Sequence, residues 1–122
     1  MPDASRLFFD VPLWRNFFEN SLTVQFDHRM LAYAIFFVAL IHAFDVANSH
    51  KRGPLVASAM ALAAAVTLQA LLGVLTLIMM VPIDLALTHQ TMAMVVLTVA
   101  TLHAAMVAER APRGALVPPV RA

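Results

Sequence analysis

The sequence contains no cysteine and few charged residues, which make up 12% of its 122 positions. The absence of cysteine excludes disulfides, cysteine-ligated zinc, iron–sulfur clusters and thiol nucleophiles. A net charge of +1 gives no basis for a nucleic-acid partner. Hydrophobic residues make up 61% of the chain, and a soluble domain this small could not bury so much apolar surface. The composition therefore indicates a membrane protein whose main surroundings are lipid.

Three apolar stretches are long enough to cross a bilayer, at residues 26–47, 55–80 and 85–108. A hydrocarbon core needs roughly 20 helical residues, and inside lipid the backbone must satisfy its own hydrogen bonds. The sequence therefore predicts an all-α, polytopic membrane protein with three transmembrane helices. Asp84 is a predicted N-cap for the third helix.

The segments outside these stretches indicate the orientation of the chain. Residues 1–25 carry scattered charges and aromatics without the pattern of a signal peptide, and we interpret them as an extracytoplasmic or interfacial segment. Residues 109–122 form a basic, proline-rich tail that is expected to be disordered. Basic residues are concentrated in this tail and in the 48–54 turn, which predicts that both are cytoplasmic and that the N-terminus lies outside.

The second apolar stretch contains no histidine, and its residues predict a packing helix. Ala57, Ala61 and Ala65 form a strip of small residues, and Gly73 permits close approach of a neighbouring helix. Gln69 lies near the middle of the stretch. Its amide is therefore expected to find a partner on another helix or at a buried carbonyl.

Four of the five histidines occur at a spacing of 14 residues, as His28 with His42 and His89 with His103. Fourteen residues turn an α-helix by about 1400°, within ~40° of whole turns, and rise about 21 Å. Each spacing therefore places two histidines on one helix face, among small and β-branched residues that leave room for a flat macrocycle. An imidazole from each side would complete an octahedral iron. We predict that His28 and His89, the first histidine pair, are the axial ligands of a heme iron between the first and third helices.

The second histidine pair, His42 and His103, has two interpretations that the sequence leaves open. The pair could ligate a second heme, or it could provide polar packing near the cytoplasmic boundary. Zinc is a weaker interpretation for either pair, because two histidines lack the further ligands that zinc requires.

Two residues beside the first pair are predicted to bind the same heme, Arg29 next to His28 and Gln90 next to His89. A guanidinium group pairs well with carboxylates such as heme propionates. Arg29 is equally well interpreted as an interfacial anchor. For Arg15, in the aromatic segment around Trp14, the anchor interpretation is preferred.

Motifs in three places resemble the heme A synthase family: WRNFFEN at 14–20, VQFDHR at 24–29 followed by Ala32 and Tyr33, and LTHQ at 87–90. Members have eight transmembrane helices in two four-helix halves, each with a histidine pair near the outer face. They oxidise the methyl group of heme o to the formyl group of heme a, for use in cytochrome oxidase. The resemblance implies that this chain is the last three helices of the C-terminal half, which holds a heme b cofactor. It also implies a bacterial plasma membrane or a mitochondrial inner membrane.

The resemblance further implies that the chain lacks the catalytic residues of the substrate half. There, a catalytic glutamate precedes the first histidine by three residues, whereas Gln25 stands at that position here and an amide cannot act as a carboxylate acid or base. No catalytic residue is therefore predicted in this chain, and heme o would be bound elsewhere. We expect either that Met1 is a truncated or misassigned start, or that a separate chain supplies the N-terminal half. Self-association into a homo-oligomer is also compatible with the sequence.

Two other functional classes stay open at this point. A cytochrome b-like diheme electron-transfer subunit would use both histidine pairs, and the 14-residue repeat favours it. A heme-free structural or assembly subunit would use neither. The number of hemes bound per chain separates these classes.

Overall fold

The computed structural model describes residues 7–50 and 52–110. A short 3-10 helix at Leu13–Phe17 is followed by three long helices, α1 at Ser21–Ser49, α2 at Pro54–Ile78 and α3 at Ile83–Arg110. All three are long and apolar enough to cross a membrane, and the described ranges contain no strand. The predicted all-α, polytopic membrane fold is confirmed. Residues 111–122, which hold most of the predicted tail, lie outside the described residues.

The helix ends are set by polar and conformationally restricted residues just outside the apolar stretches. α1 begins ahead of its apolar stretch because Asn20 Oδ1 accepts the backbone N–H of Leu22 at 3.1 Å, as a helix cap does. α2 begins with Pro54 in its first turn, where the missing N–H of proline has no intrahelical partner to lose. Gly53, just before it, has φ of +136°, a conformation that glycine adopts readily.

The prediction that Asp84 caps α3 is wrong. The helix begins one residue earlier, at Ile83, and the carbonyl of Pro82 accepts the backbone N–H of Ala86 at 3.0 Å. Asp84 lies inside the first turn, where its carboxylate is favoured by the positive end of the helix dipole.

The chain divides into two compact units, Met1–Val38 and Ala39–Ala122. In the first unit, buried polar side chains tie the N-terminal segment to the start of α1. The Asn16 side chain bonds both the backbone N–H and the carbonyl of Asp10, at 3.0 and 2.8 Å. Asn20 Nδ2 donates to the carbonyl of Leu7 at 3.1 Å, and the Thr23 hydroxyl donates to the same oxygen. These bonds satisfy backbone groups that no helix pairs.

In the second unit, α2 and α3 form the most extensive helix–helix contact, and small side chains from the end of α1 join a buried cluster with α2. The buried core consists of Ala43, Val46, Leu55, Ala59 and Ala63, with Val56 and Met106 packed against it. The strip predicted at Ala57, Ala61 and Ala65 is therefore not the packing face, since Ala57 and Ala61 are exposed. Alanine is common on every face of this part of α2, so its abundance could not identify the face that packs.

Candidate functional site

His89 lies in the second turn of α3, with its ring against α2. A Cβ atom built on Gly73 would come within 2.9 Å of His89 Cε1 and 3.5 Å of Nδ1. Real Cβ atoms essentially never approach a neighbour within 3.0 Å. Only glycine therefore lets the imidazole occupy this position without a shift. The hydrogen-only face of Gly73 against which the His89 ring packs is called the Gly73 seat below. The close approach to Gly73 that the sequence predicts is thus made by the His89 side chain of α3.

Gln69, one turn before Gly73 on α2, also faces His89. Its Nε2 lies 3.4 Å from His89 Nε2, so the expectation of a partner on another helix is confirmed. That distance is beyond the usual range for an N–H donor, and the contact is weak. The other amide atom, Gln69 Oε1, is buried without a hydrogen-bond partner among the described residues. A buried acceptor left in this way costs about 1–3 kcal/mol, so it is suited to receive a donor group.

The other predicted heme-binding residues are exposed in this structure. His28 and Arg29 belong to the first unit, and His89 and Gln90 to the second. Arg29 lines a shallow groove on α1 that is also formed by Leu22, Gln25 and Phe26. The Arg29 guanidinium and the Gln25 amide thus share one helix face. His28 lies outside this groove.

Arg15 forms an ion pair with Glu19, one helical turn away. Its Nε lies 3.1 and 3.0 Å from the two carboxylate oxygens, and its Nη2 lies 2.6 Å from Oε2. The hydrogen bond raises the pKa of Arg15 and lowers the pKa of Glu19. The guanidinium is occupied by Glu19, which favours the anchor interpretation of Arg15.

The Arg15–Glu19 pair gives a prediction about pH. Because the hydrogen bond from Arg15 lowers the pKa of Glu19 below its ordinary 4.5, the pair stabilises the fold above that pH and stops doing so as the pH falls through the lowered value. The effect is small because both side chains are exposed to solvent. Glu19→Gln is expected to lower the midpoint of thermal unfolding slightly at about pH 7 and not at about pH 2. A difference that is the same at both pH values would contradict this assignment.

The second histidine pair forms a direct contact. His42 Nε2 and His103 Nε2 are 2.7 Å apart, and the rings meet edge-on at an interplanar angle of 72°. Two imidazoles on opposite sides of one metal ion would hold their nitrogens about 4 Å apart, twice a metal–nitrogen bond of roughly 2.0 Å. The observed distance is that of a hydrogen bond, so this geometry favours the polar-packing interpretation. In addition, no group of three or more potential metal-binding side chains occurs in the described part of the chain.

Ser58 on α2 completes this contact, since its Oγ lies 2.8 Å from His103 Nδ1. His103 is 4% exposed. Nothing in the sequence distinguishes Ser58 beyond its being a hydroxyl in an alanine-rich helix. Its pairing with His103 depends on the relative register of α2 and α3, which no spacing within one helix reveals.

The sequence profile of the cytochrome oxidase assembly proteins matches residues 1–101. The chain belongs to this family. It is 53% identical over 110 residues to the heme A synthase of Bradyrhizobium diazoefficiens, an alignment covering 90% of this chain and 30% of that protein. The heme A synthase of Rhodopseudomonas palustris strain BisB5 is 52% identical over 103 residues, 84% of this chain and 28% of that protein. No solved structure matched the chain.

A heme A synthase from another Bradyrhizobium species, strain BTAi1, aligns with 97% of this chain at 47% identity, and with 33% of its own length. The chain thus spans about a third of the length of these curated relatives. The predicted membership is confirmed by these matches. They do not favour the cytochrome b-like alternative.

Proposed function

We propose that this chain is the cofactor-heme part of a heme A synthase, an oxidoreductase that converts the methyl group of heme o to the formyl group of heme a for cytochrome oxidase. The observation that carries the proposal is the family match over residues 1–101, which includes both histidines of the first pair. The relatives that align with most of this chain are named heme A synthases.

His28 and His89 are the proposed axial ligands of a heme b. A heme iron with two histidine ligands supplies one-electron transfer and has no open position for oxygen. The surroundings of His89 fit this role, because Gly73 lets the imidazole lie close to α2. Gln69 Nε2 contacts the same ring from α2 at 3.4 Å, so two residues of α2 fix where the proposed ligand lies.

Arg29 and Gln90 are the proposed contacts to the polar edge of this heme. Each adjoins a proposed ligand and is exposed, so its side chain is accessible to a carboxylate. The Arg29 guanidinium would neutralise a propionate and can bind it in two-point geometry. Gln25 on the same groove would offer an amide and no acid or base.

The proposal includes a second component, because Gln25 stands where the resembled substrate half has its catalytic glutamate, and an amide cannot act as a carboxylate acid or base. The N-terminal half of the enzyme, joined to this chain or supplied separately, would bind heme o and carry out the oxidation.

The proposed location is a bacterial plasma membrane, with the N-terminus outside. Arg52 follows the end of α1, and Arg110 is the last residue of α3, so these would be the cytoplasmic ends.

Co-expression tests this proposal. The chain would be produced with the remaining N-terminal part of the Bradyrhizobium diazoefficiens enzyme, in a host that makes heme o but lacks heme A synthase. Extracted hemes would be separated by chromatography. We expect heme a when both parts are present and none with either part alone. Heme a from this chain alone, or no heme a when both parts are in the membrane with heme o, would contradict the proposal.

A further inference from the structure

The second histidine pair is part of a hydrogen-bonded chain that joins all three helices within the second unit. His42 on α1 contacts His103 on α3 at 2.7 Å, and His103 contacts Ser58 on α2 at 2.8 Å. Ser58 Oγ in turn lies 2.9 Å from the carbonyl oxygen of Leu55. The first two contacts use both ring nitrogens of His103.

The number of available protons fixes which group donates and which accepts in each of these hydrogen bonds. The single hydroxyl proton of Ser58 is donated to the Leu55 carbonyl, which cannot itself donate. Ser58 Oγ must therefore accept from His103, so His103 Nδ1 carries a proton and its Nε2 has a free lone pair. His42 Nε2–H then donates to that lone pair. All three hydrogen bonds form with both imidazole rings neutral. The series of hydrogen bonds ends at the Leu55 carbonyl, which cannot pass a proton on.

This arrangement restricts the rotation of α3 about its own axis. His103 is 4% exposed and bonds α1 through one nitrogen and α2 through the other. Rotating α3 by a single residue, about 100°, would break both bonds inside a membrane-spanning segment, where lost hydrogen bonds are not replaced by water. His89 lies 14 residues earlier, within ~40° of the same helix face. The direction in which His103 is held therefore determines how His89 meets α2.

We infer that His42, Ser58 and His103 form an interhelical clamp that holds the His89 ring on its Gly73 seat. They are positioning residues and not ligands of a second heme. The heme-related part of this inference rests on the proposed function, whereas the clamp itself does not.

The clamp can be tested without heme, by nuclear magnetic resonance of the full chain in lipid nanodiscs with ¹⁵N-labelled histidine. We expect a scalar coupling between His42 Nε2 and His103 Nε2 across the hydrogen bond, and a protonated Nδ1 on His103. A nuclear Overhauser contact between His89 Hε1 and the Gly73 α-protons is expected in the wild type. His103→Phe should abolish that contact, and Ser58→Ala should weaken it.

Two variants separate positioning from a general loss of structure. His103→Gln retains an amide that can bond to His42, and it should restore the His89–Gly73 contact. Thr98→Ala removes an exposed hydroxyl that bonds only to its own helix, at the Met94 carbonyl, and should change nothing. Absence of the nitrogen–nitrogen coupling, or an unchanged His89–Gly73 contact in folded His103→Phe, would overturn the clamp.

A parallel measurement uses the heme-loaded chain. We expect one heme per chain in the wild type and in His103→Phe, with altered low-spin resonances in electron paramagnetic resonance for the variant alone. Two hemes in the wild type and one in His103→Phe would make the second pair a ligand set and overturn the inference. A wild-type chain without low-spin heme would count against the proposed function, while the nitrogen coupling would still decide the clamp.

Discussion

Replacing His89 with alanine is expected to weaken heme binding by the chain at least about 100-fold and to remove its low-spin heme signal. Substitution of groups that merely support a metal ligand costs about 10–100-fold in affinity, so loss of the ligand itself should reach the upper end of that range or exceed it. His28→Ala should have the same effect, because each histidine would supply one of two axial bonds. The measurement is a heme titration of the detergent-solubilised chain, followed in the Soret band.

His50→Ala is the matched control for both substitutions. His50 is exposed and follows the end of α1, so its replacement should leave affinity and spin state unchanged. Wild-type affinity in folded His28→Ala and His89→Ala chains would show that the first histidine pair does not bind the iron.

Gly73→Val is expected to weaken heme binding by about 10–100-fold, as for other changes in the support of a metal ligand. The first added carbon would stand 2.9 Å from His89 Cε1, and the imidazole is the movable partner. Gly73→Ala should show a smaller change in the same direction. The fold should survive, because an overpacking cost of about 1–3 kcal/mol, partly offset by the higher helix propensity of valine, is smaller than the roughly 5–15 kcal/mol by which native proteins are usually stable.

Ala61→Val provides the control for added volume on the same helix, since Ala61 is exposed. The thermal unfolding midpoint and the heme affinity of each variant should be measured together. If Gly73→Val bound heme as the wild type does, with the same low-spin resonances, His89 would not use this seat in the heme-loaded chain.

The number of membrane-spanning segments and their helical structure followed from the sequence, because the need to pair backbone hydrogen bonds in lipid acts within each segment. A long apolar stretch in lipid has to close its own backbone hydrogen bonds, whatever it packs against. The ends were harder to place, since they depend on single side chains. The cap provided by Asn20 extends α1 beyond its apolar stretch, and the position of Pro82 moves Asp84 from the cap into the first turn of α3.

Only those features of the candidate site that are set within a single helix could be predicted from the sequence. Periodicity places His42 and His28, or His103 and His89, on one face, and mid-membrane polarity indicates that Gln69 needs a partner. The contacts between helices required their register and separation. The 2.7 Å contact between His42 and His103 joins α1 to α3 beside the buried cluster of Ala43, Ala59 and Ala63. The sequence could not identify that face, since alanine also occupies the exposed ones.

The most direct test of the account is electron paramagnetic resonance of the ferric, heme-loaded wild-type chain, combined with determination of heme per chain. We expect one heme and a single low-spin species with two imidazole ligands, lost on substitution of either His28 or His89. A high-spin heme, a second low-spin species, or a bis-imidazole signal that survives both substitutions would contradict it.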